Sequence, residues 1–425
     1  MSAKYTIRRR LSFGRATGAG LFTALALSVA LLVGGSLPAH AAPAKQTISR
    51  KIAKNLIAAQ KALQGGKWDA GLQNLQAAEG KSGLTPFDHK TIDDLKAYAY
   101  VKLGNMNAAE KSWEAALQTG ACTPQDTLRF TRAVFQLSYN AHDYAKAIAY
   151  GQKLIALGQG NEQIYAVIGQ GYFLTKNCRG ADVYMDKAIA AAHATGKPPQ
   201  EGYYQIKLQC AFNAKDTAGE IAGFTDLVRL TNKPEYWNSL LRLERQNTRK
   251  DKNLLMIYRL MYNTSSMNVT SDYVEMAQLL GDAALPEEAL AVVQKAISSG
   301  AVKPTQAARV NRLLKDMQRR AASDQKGIPT YVTQANKSPT GELDVKLGEV
   351  YYGIGNYANA VQAINNGLKK GHVKSLGQAY VYLGLSNQYL KNIPAAKHAF
   401  AKLKTVTSMP SNIRGLWALY AGNLK

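Results

Sequence analysis

Ten short amphipathic segments recur along this chain at a nearly constant interval. They open at Trp68, Met106, Tyr144, Cys178, Thr217, Asp251, Pro286, Ala322, Tyr357 and Ile393, in steps of 34 to 39 residues. A self-similarity of that length confines the fold to an array of helix pairs. One helix of roughly a dozen residues is marginal in water, so each pair must bury its apolar face against its neighbours.

Within one unit, Ala97, Tyr100, Ala109, Trp113 and Ala116 alternate small and large across two helices separated by Gly104-Asn105. The template returns as Gly169, Tyr172, Ala181, Met185 and Ala188, and in shorter form as Gly348, Tyr351 and Ala360 and as Gly384, Ala396 and Phe400. A small residue on each helix lets the two approach, and the aromatic fills the space between one pair and the next. The chain resembles the tetratricopeptide repeat (TPR) across residues 45–422, strongly in the second, fourth, ninth and tenth units. The pattern weakens over residues 232–337, where Arg and Asn replace the small residues. The resemblance implies an all-α fold, a TPR-like right-handed α-solenoid of about ten helix-turn-helix repeats over residues 42–425. Polar stretches at Asn263 to Ser271 and Ser323 to Gly341 read as longer loops, with Pro329 and Pro339 disfavouring helix in the second. Within the family, Tyr273 to Gly281 followed by Glu287-Glu288-Ala289-Leu290 is similar to the periplasmic repeat proteins that accompany TonB, ExbB and ExbD.

Residues 1–41 read as a secretory signal peptide: Arg8, Arg9, Arg10 and Arg15, an apolar run from Leu21 to Val33, then Ala39-His40-Ala41. Cleavage is expected after Ala41. The apolar run is short of the roughly 20 residues a membrane span needs, so no transmembrane segment is expected in the mature chain. The expected location is the periplasm. Of the formal charge of +24, five Lys or Arg lie in residues 1–41, which leaves +19 after cleavage.

The composition argues against chemistry. Three Cys and six His leave little material for a metal cluster. No Cys-x-x-Cys, His-Glu-x-x-His, Gly-x-Ser-x-Gly or phosphate-cradling Gly-Lys-Ser/Thr occurs. No catalytic residue, metal ligand or cofactor is assigned. In an oxidising compartment the cysteines take on a structural meaning. Cys178 begins the second helix of its unit, and Cys210 lies near the end of the first helix of the next. Antiparallel stacking makes those ends neighbours, so a Cys178 to Cys210 disulfide is one reading, with Cys122 free. Two buried thiols behaving as small apolar residues are the other.

In TPR solenoids the first helix of each unit lines the concave surface. Positions two, five, nine and twelve of those helices include Arg129, Arg132, Gln136 and Tyr139, then Gln163, Gln170 and Phe173, then Gln205, Gln209 and Phe212. Amides, arginines and aromatics suit an extended peptide or a disordered segment of another envelope protein. The alternative is a merely solvated face. A second cluster, Arg242, Arg245, Arg249, Lys250, Lys252 and Arg259, stands near Tyr236 and Trp237 and reads as a basic patch. Export argues against nucleic acid and toward acidic protein segments, lipid phosphates or anionic envelope polymer, with a solvated basic face as the default.

Three functions follow. The first is a non-enzymatic periplasmic scaffold for protein–protein interaction, which by resemblance would serve TonB-dependent outer-membrane transport. The second is a scaffold for envelope polysaccharide or peptidoglycan assembly. The third is a hydrolase with a site inside the groove.

Overall fold

The computed structural model describes residues 47–425. The signal peptide and its cleavage point after Ala41 lie outside the described residues. All regular structure among the described residues is helical, in two compact units that divide after Cys210.

The first unit holds α1 (Arg50–Gln64), α2 (Trp68–Glu79), α3 (Pro86–Lys102), α4 (Met106–Gln118), α5 (Pro124–Asn140), α6 (Tyr144–Ala156), α7 (Glu162–Leu174), α8 (Cys178–Ala194) and most of α9 (Glu201–Ala214). The second holds α10 (Thr217–Thr231), α11 (Pro234–Gln246), α12 (Asp251–Asn263), α13 (Thr270–Asp282), α14 (Pro286–Ser298), α15 (Ala307–Lys337), α16 (Glu342–Gly353), α17 (Tyr357–Lys370), α18 (Leu376–Tyr389), α19 (Ile393–Lys402) and α20 (Ser411–Asn423). Nine of the ten periodic residues open a helix, and the exception is Ala322.

A two-residue device makes the break within eight of the ten units. Two positions before the second helix the backbone turns left-handed, at Gly66, Gly104, His142, Lys176, Lys215, Ala284, Gly355 and Lys391. The next residue is then most often Asn or Asp, whose side chain accepts from the third helical N–H: Asn105 from Ala108, Asp143 from Lys146, Asn177 from Gly180, Asp216 from Gly219, Asn356 from Asn359 and Asn392 from Ala395. The first residue stops one helix and the second starts the next.

The sixth unit breaks at Asn247 to Lys250 without this device, and the eighth lacks it too. Arg320-Ala321 supplies neither a glycine nor a capping oxygen, and α15 runs on as one helix of 31 residues. The stretch from Ser323, expected as a loop, is therefore helical to Lys337. Pro329 deprives a carbonyl one turn back, that of Gln325, of its N–H donor, but both residues are exposed and water can serve that oxygen. The other expected longer loop is an ordinary connection of six residues between Asn263 at the end of α12 and Thr270 at the start of α13, the same length as those between α2 and α3 and between α8 and α9.

Small residues close the pairs. Ala97, Ala109, Ala181, Ala360 and Ala396 have no exposed surface. At Gly384 an added Cβ would lie 2.5 Å from the Phe400 ring, so α18 and α19 approach only because the side chain is missing.

The two units bury their apolar residues differently. In the first, the core is broken into successive clusters, one around Ile52, Leu75 and Ile92, one around Trp113, Phe130 and Ile168, and one around Met185, Tyr203 and Ile206. That is the core of a quasi-linear stack. In the second, one large cluster runs from Val228 to Tyr420, with a small one beside it around Ala335, Leu347 and Ala363. Its last helix, α20, packs on α19 and also on α10 and α12. Asn412 Nδ2 donates to Glu244 Oε2 at 2.7 Å, and Tyr420 meets Trp237 edge-on at 6.3 Å. The end of this unit thus rests on its beginning.

Candidate partner-binding surface

In the first unit the first helices of successive pairs are joined to one another by side chains, and so are the second helices. Among first helices, Asp88 on α3 is fully buried and accepts from the backbone N–H of Ser49, at the foot of α1, at 2.9 Å. Lys90 on α3 pairs with Asp126 on α5 at 3.1 Å, and Tyr203 on α9 donates to Glu162 on α7 at 2.9 Å. Among second helices, Lys146 on α6 bridges Glu110 and Glu114 on α4 at 2.6 and 3.2 Å. Two layers result.

Helix α5 begins four residues earlier than the count assumed, but Arg129, Arg132, Gln136 and Tyr139 on it, and Gln163, Gln170 and Phe173 on α7, sit in the first-helix layer, none of them fully buried. Arg129 reaches back to α3, donating Nη1 to Asp94 Oδ1 at 3.0 Å and Nη2 to Asp94 Oδ2 at 2.7 Å. Burial alone would ease the proton off this guanidinium, but Asp94 and Asp126 more than reverse that and hold it cationic. Arg132 donates to Gln159 Oε1 at 3.0 Å, and Gln136 donates to Asn140 Oδ1 at 3.3 Å. Tyr139 reaches forward to α7 and donates to Gln170 Oε1 at 2.6 Å, with its ring edge-on to Tyr144 at 5.8 Å. Partial burial, and then Tyr144, push the Tyr139 hydroxyl upward, so it stays a donor.

This lattice spans α3, α5 and α7. Gln170 has its oxygen committed to Tyr139 and keeps its amide donors to offer. Gln163 is exposed and Phe173 half-buried on the same helix. On α9, Gln205 donates to Glu201 at 3.0 Å, and Gln209 is half-buried. Phe212 is 52% exposed and lies past the division between the units. The sequence reading missed Asp94, which also accepts from Trp113 Nε1 at 3.2 Å. Asp94 stands twelve residues before Met106, as Arg132 stands twelve before Tyr144, so carrying the same count back by one unit finds it.

Cys178 and Cys210 are joined in a disulfide with Cα atoms 5.4 Å apart, and Cys122 is a free thiol whose burial, helped by Asp126, pushes its pKa upward.

The expected basic patch does not form. Arg259 is fully buried, with Nε and Nη2 on the two oxygens of Glu288 at 2.9 and 2.8 Å and the Tyr382 hydroxyl against Nη2. Arg242 and Arg245 converge on the buried carboxylate of Asp272 at 3.0 and 2.9 Å. Only Arg249, Lys250 and Lys252, at the turn between α11 and α12, are exposed. Trp237, read as an aromatic neighbour of the patch, is 1% exposed core. Trp237, Arg242 and Arg245 lie on α11, the first helix of the pair, where the two arginines reach Asp272 on α13, while Arg259 is on the inward face of α12, the second helix.

No family model and no curated protein matches this chain. Among solved structures, it is similar to the TPR2AB domain of yeast Sti1 in complex with pHSP90, at 14% identity over 63% of this chain and 98% of that one, TM-score 0.31. It is similar to a tetratricopeptide repeat protein from Parabacteroides merdae at 12% identity over 80% and 99%, TM-score 0.28. The C-terminal part of a TPR protein from Cytophaga hutchinsonii is a further likeness, at 13% identity over 62% and 95%, TM-score 0.30. The chain is similar to TPR proteins. The helix pairing described above carries the fold by itself.

No helix among the described residues is long and apolar enough to cross a membrane.

Proposed function

We propose that this protein is a non-enzymatic periplasmic scaffold whose first unit holds an extended segment of another envelope protein. The observation that carries the reading is the lattice Asp94–Arg129 and Tyr139–Gln170. Polar side chains of three successive first helices are held at fixed positions by one another yet remain partly exposed. Side chains fixed in this way lose little freedom when a partner's main chain is laid across them, which favours binding. The TonB-type expectation belongs to the same proposal. It stems from the segment 273–290, whose Tyr273, Met276, Ala277, Leu280 and Ala289 are core residues, so that likeness concerns how α13 and α14 pack.

The test is a photo-reactive residue at Gln136 in the exported protein, cross-linked in cells and analysed by mass spectrometry, with the same residue at Lys111 on α4 as control. Recovery of a TonB, ExbB, ExbD or outer-membrane receptor peptide at Gln136 and not at Lys111 is the expected result. Attachment of glycan-assembly proteins would transfer the scaffold to that process. No cross-link specific to Gln136 would end the groove reading.

A further inference from the structure

The helix that breaks the repeat also carries the largest net positive charge of any helix among the described residues. Helix α15 contains seven Lys or Arg and two Asp. At 3.6 residues per turn, Arg312, Lys315, Arg319 and Lys326 fall within about 60° of one another around its axis. All four are exposed, and Arg319 alone is paired, with Asp316 at 2.6 Å. No carboxylate among the described residues pairs with Arg312, Lys315 or Lys326. The opposite face, with Val310, Met317 and Ala321, is buried in the second unit. The stripe extends for about 21 Å, with axial steps of about 4.5, 6 and 10.5 Å between cations.

Between the cations the surface is low. Ala322 and Ser323 occupy the gap from Arg319 to Lys326, and no large apolar side chain of α15 is strongly exposed. Without an exposed aromatic, the stripe offers neither a platform for bases nor an anchor for a bilayer. A rod-like cationic line with small residues between its charges fits a chain lying along it. In an extended polypeptide, side chains of one face recur about every 6.4 to 6.8 Å, close to the Lys315 to Arg319 step, and Arg312 can grip a carboxylate bidentately. We propose that α15 is a docking line for an acidic, extended polypeptide segment of a partner protein. It lies in the second unit and does not depend on the groove of the first.

The test uses the full-length mature protein and a fluorescein-labelled 14-residue peptide with Glu at alternate positions, followed by anisotropy at low and at moderate salt. The variant Arg312→Gln/Lys315→Gln/Lys326→Gln is compared with Lys54→Gln/Lys61→Gln/Lys111→Gln, which removes equal charge from exposed sites of the first unit. Circular dichroism checks that both variants keep native helicity. The stripe variant should weaken binding at least tenfold and the control less than threefold. Equal losses would mean that net charge alone attracts the peptide and would overturn the assignment. Failure of the unaltered protein to bind the peptide would also overturn it. Stripe-dependent binding of dextran sulfate or phosphatidylglycerol vesicles in place of the peptide would overturn the partner class.

Discussion

Arg259 on α12 and Glu288 on α14 face each other through two parallel hydrogen bonds, with the guanidinium wholly out of water. Burial alone would lower the arginine's pKa, and the carboxylate reverses this and raises it. Tyr382 from α18 closes the arrangement by donating to Glu288 Oε2 at 2.6 Å. Three helices of one unit are thereby tied through one charge pair.

Removing one partner leaves the other charged and buried. Arg259→Met should destabilise the second unit by about 3 to 5 kcal/mol, whereas Arg259→Met combined with Glu288→Leu should recover most of that loss. Urea unfolding of the three proteins decides it. A single variant as stable as the original would show that the pair is dispensable.

The second unit should resist acid better than base. Glu349, buried on α16, is pushed up to about 7, first by burial, with Arg259 opposing and Glu288 adding to it. Its other neighbours are Gln378, which donates to it at 2.8 Å, and Lys346. Glu287 on α14 is likewise raised to about 7 by burial, and one of its oxygens is buried without a partner. A carboxyl with a raised native pKa stabilises fully below its unfolded value near 4.5, and that contribution is lost as pH rises toward 7. Melting temperature should therefore fall between pH 5 and 7.5 through these two groups. Glu349→Gln should reduce the slope and raise stability at pH 8, and an unchanged slope would remove Glu349 from this role.

Closing the 32-residue interval between Cys178 and Cys210 restricts the unfolded chain. In the chain-entropy view this contributes about 3 to 4 kcal/mol. Reduction, or Cys178→Ser, should lower stability by that order. Alkylation in denaturant should label one cysteine before reductant and three after, and three before reductant would rule out the bond.

Changing Arg132 and Tyr139 to Ala should weaken partner capture at least tenfold and shift melting by no more than about 1 kcal/mol, the cost of half-exposed hydrogen bonds. By contrast, Ala109→Leu should destabilise by about 1 to 3 kcal/mol through overpacking, since Ala109 has no free surface. Calorimetry and pull-down on the same preparations separate the two effects. Capture undiminished in the first variant would move the site off α5.

Helix starts were legible because the signal is local: a left-handed residue, an Asn or Asp, and a periodic apolar face occupy a few adjacent positions. Ala322 misled for the same reason, since the apolar period persists there while the two turn residues are absent. Position counting found Arg129 and Tyr139, which act within one layer. It did not find Arg259, because its partners Glu288 and Tyr382 stand 29 and 123 residues away. Whether a basic residue meets water or a buried carboxylate depends on contacts that no local pattern records.

The packing of α20 on α10 and α12 also bears on how the second unit comes apart. An open stack can fray one pair at a time from its end, since each pair answers only to its neighbours. Here a pull on Lys425 is borne at once by helices at both ends of the unit, which should yield in a single rupture and not as a staircase of small ones. Digestion from the carboxyl terminus should meet the same barrier, stopping at α20 until the whole unit opens.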